Sequence, residues 1–288
     1  MKFAYLILAH HKFNQLLDLI NIMTSPDNFI FLHIDKKMNI DPLLKEELFK
    51  SNVFVCDDPV AISWGGFSQI IATMKLISMV YKNGIEVDYF HLLSGQDFPV
   101  KNNSYINSFF KENEGLSYMG FFSLPYDNWT HKGMSRILLE WNIDDIGYYK
   151  SYKDVFLQNS MGLYRNLPGK IVFYGGSQWW SLHRQCVEYI REVCIDGNPI
   201  YDFYKKSLIP DEMLFQTILL NSEFRNVIVN DNLRYIDFVS GPEYPKILRL
   251  EDYNKLTSDN KYIFARKFDD SVDHRLRDMI FTFIKCKS

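Results

Sequence analysis

An α/β fold, with a mostly parallel central sheet and helices on both faces, is predicted by three observations. Short apolar runs of strand length alternate with stretches in which apolar residues recur every three or four positions. The run from Val87 to Leu93 is nearly continuous, as a strand covered on both faces requires. The chain has 288 residues, 47% of them hydrophobic and 23% charged, enough for one large α/β domain or two small ones.

Lys2 to Ala9 reads as a first buried strand, and Phe13, Leu16, Leu17 and Ile20 follow at helical spacing, making a βα unit. Asn28 to His33 is a second strand, ending in His33-Ile34-Asp35-Lys36-Lys37. An acidic residue some 20 to 30 positions after a first strand can bind a ribose hydroxyl, so Asp35 is either such a ligand or a surface turn aspartate. The first turn, Ala9-His10-His11-Lys12, lacks GxGxxG, which argues against a dinucleotide. Asp41 to Lys50 reads as a short helix, Val53 to Cys56 as a strand, and Ser68 to Lys82 as a helix opened by the tight loop Trp64-Gly65-Gly66.

The central strand halts at Ser94-Gly95-Gln96-Asp97, and Pro99 ends any ladder there. Open α/β sheets bind ligands beyond the carboxyl ends of their strands, so this tetrapeptide is either a site segment or an ordinary turn. From Tyr118 to Lys170 periodicity is lost, as in an insertion over a cleft. The chain then divides into a first half at 1–117, the insertion at 118–170 and a second half at 171–288, all within one domain. A strand at Ile171 to Phe173 and a helix near His183 to Val193 flank Gly175 and Gly176, which suit close ligand approach or a bulge. Pro210 should open a helix with Asp211 and Glu212 in its first turn, where the dipole favours negative charge. Short strands around Val227–Val229 and Arg234–Phe238, an apolar run interrupted by Arg266 and Lys267, and an amphipathic helix from Val272 to Lys285 complete the chain. Two cations in an apolar run need an anionic partner.

A net charge of −3 gives no global attraction for nucleic acid or anionic lipid, so any phosphate must be held by a local basic site. The 23 Phe and 18 Tyr must in part line a surface or cleft. Cys56, Cys186, Cys194 and Cys286 form no CxxC pair and no zinc spacing, so free thiols in a reducing compartment are expected. The apolar run Phe3 to Ala9 is too short for a signal or a membrane span, and a soluble, untargeted chain is the expectation. On that ground, the sequons at Asn102 and Asn128 read as coincidental.

Seven segments in order then carry a resemblance: ILAHH at Ile7 to His11, HIDKK at His33 to Lys37, SWGGFSQI at Ser63 to Ile70, LLSGQDFPVK at Leu92 to Lys101, GGSQWWSLHR at Gly175 to Arg184, IPDEMLFQTILLNS at Ile209 to Ser222, and YPKIL followed by FARKFD at Phe264 to Asp269. Together they resemble the Core-2/I-branching family of glycosyltransferases, which includes the peptide O-xylosyltransferases, in a compact form of bacterial type.

The resemblance implies a GT-A fold and inverting transfer of GlcNAc or xylose from a UDP-sugar to a hydroxyl of a glycan or lipid-linked saccharide, giving a β linkage. It implies Glu212 as the general base, and Arg266 with Lys267 as the diphosphate clamp replacing a metal. Asp35 with His10 falls on the nucleoside side. Asp97, Gln96, Gly176, Ser177, Trp179 and Trp180 fall on the sugar and acceptor side. No cofactor and no metal are expected, the UDP-sugar being a substrate, and no nucleic acid partner. The expected place is the cytoplasm, with peripheral attachment to the inner face of the membrane left open. Two other classes remain at this stage. A glycoside hydrolase would pair Asp97 with Glu212 as acid and base, and a noncatalytic carbohydrate or nucleotide binder would show no turnover.

Overall fold

Every residue of the first strand, β1 (Phe3–Ala9), is buried, and its alternating side chains feed two separate cores. Ala4, Leu6 and Leu8 enter one core, while Phe3, Tyr5, Ile7 and Ala9 enter the other. Such a strand must be covered on both faces. The chain is seen in a computed structural model, which describes residues 1–39, 46–48, 52–242, 244–259 and 261–286. The helix expected at Asp41 to Lys50 lies outside the described residues except for 46–48, which are helical.

The remaining strands are β2 (Asn28–Ile34), β3 (Val53–Val55), β4 (Tyr89–Ser94), β5 (Phe98–Pro99), β6 (Ser117–Ser123), β7 (Tyr174–His183), β8 (Ile228–Val229), β9 (Arg234–Ile236) and β10 (Phe264–Arg266). Seven of them form the main sheet in the order β3-β2-β1-β4-β7-β6-β8. β3, β2, β1 and β4 run parallel, β7 is antiparallel to both β4 and β6, and β8 is parallel to β6. A smaller sheet, β5-β10-β9, follows directly on the end of β4. One core packs the helices Ser68–Lys82, Arg184–Val193, Pro199–Tyr204 and Leu214–Leu220 on the main sheet. The other holds Phe13–Met23, Asn103–Glu112, Tyr253–Ser258 and Asp270–Cys286. This mixed α/β architecture agrees with the GT-A-like expectation. Among the described residues, no helix is long and apolar enough to cross a membrane. All four cysteines are free, and only Cys286 is exposed.

Three local expectations are corrected. The stretch from Tyr118 opens as β6, a strand of the main sheet, so the irregular segment begins only after Ser123. Its aromatic residues obscured a strand whose outer half is only partly buried. Ile171 to Phe173 are not a strand; β7 starts at Tyr174 and runs through both glycines to His183. A Cβ at Gly176 would stand 1.9 Å from the Gly120 carbonyl oxygen, where β6 and β7 shift register between Met119 and Phe121. The bulge therefore accounts for this glycine. No α-helix opens at Pro210: Pro210–Glu212 is a single 3-10 turn, and Met213, at φ −140°, interrupts the chain before the helix Leu214–Leu220. The dipole argument for Asp211 and Glu212 falls with it.

Candidate functional site

Parallel register brings the ends of the strands to one edge. Ala9 pairs with Ile34 and Leu8 with Ser94, so His10, Asp35 and Gly95 to Asp97 leave neighbouring strands side by side. The Phe268 N–H donates to the Gln96 carbonyl at 2.9 Å, and Gln96 Nε2 donates to the Phe268 carbonyl at 3.2 Å. These bonds draw Arg266 and Lys267, from the other sheet, to the same edge. β7 runs against β4 with Ser181 opposite His91, so its earlier residues Ser177 to Trp179 arrive there too.

Arg266 is largely buried, with its guanidinium carbon 4.2 Å from the Trp179 ring centroid. Its Nε lies 3.5 Å from Asp97 Oδ1, an ion pair without a hydrogen bond. Arg266 Nε and Nη1 and Asp97 Oδ1 are buried with no hydrogen-bond partner. Burial lowers the Arg266 pKa while Asp97 and Glu212 hold its charge; burial raises that of Asp97 while Arg266 opposes the shift. Buried donors left open in this way are what an oxyanion would fill. Lys267, partly buried, makes no ion pair among the described residues; burial and then Arg266 lower its pKa.

His10 is exposed beside His11, ring centroids 4.1 Å apart. Loss of water on its inner side and the Lys267 charge lower its pKa, which keeps the ring neutral near pH 7. The His11 ring is pushed down to about 4, mainly by desolvation and then by His10. Asp35 is buried and holds the turn after β2, Oδ1 accepting from the Lys37 N–H at 2.9 Å and Oδ2 from the Ile62 N–H at 3.3 Å. The turn reading of Asp35 is what these bonds display, at a place close enough to His10 for its charge to act on that ring.

Glu212 arrives from the other side of the cleft. Ile209, which precedes its turn, has φ 51°, a left-handed conformation that a β-branched residue holds only at a cost of about 1 to 3 kcal/mol. Its N–H donates to the Gly65 carbonyl at 2.8 Å, and Gly65 is itself at φ 77°. The neighbouring Gly66 leaves room for Asp144, whose carboxylate accepts from the Ser68 N–H at 2.9 Å and Oγ at 2.6 Å, capping the helix Ser68–Lys82. Arg136 Nη1 donates to Glu212 Oε2 at 2.7 Å, and its guanidinium carbon stacks 3.6 Å from the Trp129 ring centroid. Glu212 Oε1 has no bond from the described residues, and the side chain is about one-third exposed at 32%. Sequence reasoning missed Arg136 and Asp144, because both act across more than 70 residues and no local spacing marks them.

Asp211, beside Glu212, is buried, and burial followed by the Glu212 charge pushes its carboxyl up to about 7. The unfolded carboxyl ionises near 4. As pH rises through that range the unfolded chain releases its proton first, so the Asp211 contribution to stability falls from about pH 4 to about pH 7 and is flat above. Thermal melts should therefore show the wild-type Tm dropping relative to Asp211→Asn between pH 5 and 7; parallel curves would contradict the burial effect.

Other expected site residues are placed differently. Trp180 is fully buried against Phe215, on the opposite face of β7 from Trp179. It is a core residue. Asp97, at 0% exposure, and Gln96, at 2%, are buried, Asp97 beside Arg266 and Gln96 bonded to the Phe268 backbone. Ser177 Oγ accepts from Asn232 Nδ2 at 2.9 Å and from the Trp179 N–H at 3.2 Å, bracing the β7 end. Among the described residues, no three His, Cys, Asp or Glu side chains converge as a metal site.

The carboxyl edge of this α/β sheet thus carries Arg266 and Lys267, with the Glu212 carboxylate near enough to act on the Arg266 charge, an arrangement suited to an enzyme that handles an anionic group. Residues 3–259 match the family described as Core-2/I-Branching enzyme, and the chain belongs to that glycosyltransferase family. It is 22% identical over 304 residues to a xylosyltransferase of Ciona intestinalis, covering 96% of this chain and 33% of that protein. It is 25% identical over 245 residues to xylosyltransferase 1 of Homo sapiens, covering 81% and 24%, and 25% identical over 315 residues to xylosyltransferase 2 of Pan troglodytes, covering 97% and 33%. The chain thus spans a quarter to a third of the length of these curated relatives.

Proposed function

We propose that this chain transfers GlcNAc or xylose from a UDP-sugar to a hydroxyl of a glycan or lipid-linked saccharide, with inversion and without a metal ion, in the cytoplasm. The observation that carries the reading is Arg266, next to Lys267 in the chain, whose buried Nε and Nη1 have no partner and whose charge is supported by Glu212. Glu212 Oε1 accepts the proton of the acceptor hydroxyl as its oxygen attacks the anomeric carbon. The bond from that carbon to the diphosphate breaks, and the electron pair leaves on the diphosphate oxygen of UDP. Arg266 and Lys267 stabilise that developing charge, the work a metal does elsewhere. His10 and Asp35 border the nucleoside end, and Trp179 fixes the Arg266 plane. The xylosyltransferase relatives favour xylose as the donor sugar. The hydrolase alternative loses its acid, because Asp97 is fully buried and paired with Arg266.

Thermal shift against UDP, GDP and CMP tests the donor. UDP should raise the Tm by mass action on the folded state, and slow sugar release should follow from one UDP-sugar of a panel. Equal or greater stabilisation by GDP or CMP overturns the uridine assignment.

A further inference from the structure

Beside the cleft, within the segment between β6 and β7, lies a cavity of about 530 Å³ that the transfer reaction described above leaves unused. Its walls are largely rings and aliphatic chains, among them Trp64, Trp141, Tyr148, Tyr152 and Phe156. The rings form a continuous wall: Trp64 meets Tyr148 edge-on at 5.3 Å, and Tyr148 stacks with Trp141 at 6.2 Å and with Tyr152 at 6.3 Å. Tyr148, Tyr152 and Phe156 recur every four residues along the helix Tyr148–Ser160, so they share one face. Trp64 and Phe156 remain 69% and 67% exposed, an open apolar surface that folding alone does not explain.

The lining includes Arg136, the residue that donates to Glu212, and Ile209, which opens the turn bearing Glu212, so Glu212 lies next to this cavity. We propose that the cavity is an aglycone subsite: it receives an alkyl or aryl group attached to the acceptor sugar. Its volume falls within the roughly 300 to 1,000 Å³ of pockets that bury small molecules. Thr130, His131, Ser135 and Asn159 also enter the lining, but Trp64, Leu138, Leu139, Val155 and Phe156 offer no acceptor to the hydroxyls of a second sugar, whereas a hydrocarbon tail gains by leaving water. The inference rests on the transferase reading for its acceptor, and on the cavity alone for its apolar preference.

The test titrates the full chain with n-octyl β-glucoside, below its micelle concentration, and with methyl β-glucoside, following tryptophan fluorescence, since Trp64 and Trp141 both line the cavity. The octyl probe should give a saturable change at least 10-fold below any methyl response, and Phe156→Glu should weaken it at least 10-fold. A UDP-induced Tm rise in Phe156→Glu checks that the variant is folded. Octyl binding should also reduce free-sugar release from the UDP-sugar, because the glucose head takes the place of water at Glu212. Equal octyl and methyl responses, an octyl response indifferent to Phe156→Glu, or, in a chain that UDP stabilises and that releases sugar from a UDP-sugar, release unchanged by the octyl probe each overturn the subsite. So does flotation with phosphatidylcholine/phosphatidylglycerol vesicles that Phe156→Glu abolishes while the soluble octyl probe fails to bind, which would make this face a membrane contact. Octyl binding without any UDP stabilisation would sink the donor reading and leave the cavity assignment standing.

Discussion

Glu212→Gln should lower turnover by roughly 100 to 10,000-fold, the span that general base catalysis contributes. The substitution keeps the shape of the side chain and an oxygen for Arg136 Nη1, which bonds Oε2 at 2.7 Å. What it removes is the ability of Oε1 to take a proton. Because that transfer occurs only in the transition state, kcat and kcat/KM should fall together while UDP affinity stays near the wild-type value. The Tm should change little, since a partly exposed ion pair contributes about 0 to 1 kcal/mol. Removing the Glu212 charge should also lower the Asp211 pKa, because Glu212 is second only to burial in raising it. A variant that keeps most transferase activity refutes the base assignment. A large loss of Tm would make the Arg136–Glu212 pair a structural anchor instead.

The second large effect concerns the cationic pair, and its two members should fail differently. Lys267→Ala removes a half-buried ammonium that has no ion pair among the described residues, so the fold should persist while UDP binding weakens. A charge-assisted hydrogen bond contributes about 1.5 to 3 kcal/mol, or roughly 10 to 100-fold in affinity. The rate should drop by a further 100 to 1,000-fold if the ammonium meets charge that develops on the leaving diphosphate. Arg266→Ala should instead destabilise the protein by about 3 to 5 kcal/mol, because Asp97 would be left as a buried, unpaired carboxylate. The double variant Arg266→Met, Asp97→Asn should recover much of that stability without recovering UDP binding. Thermal melts with and without UDP separate these outcomes. Chelator should leave wild-type turnover intact; activity lost with EDTA and restored by manganese would contradict the clamp.

By itself the sequence determined the alternation of strands and helices, the polar stop after β4 and the membership of the family, because each is written in local spacing or in the order of motifs. Only the tertiary structure decided which chemistry-bearing residues meet. Arg266 reaches Asp97 from 169 positions away through the second sheet, and Arg136 reaches Glu212 across 76, distances over which no periodicity carries information. Trp179 and Trp180 are adjacent, chemically identical and both buried, yet the pleat sends one ring to Arg266 and the other to Phe215. Pro210 reads as a helix start by propensity, but the left-handed Ile209, tied to the Gly65 carbonyl, folds the next residues into a separate turn. Side-chain identity was legible; side-chain direction depended on packing between elements far apart in the chain, and that is a property of the whole fold.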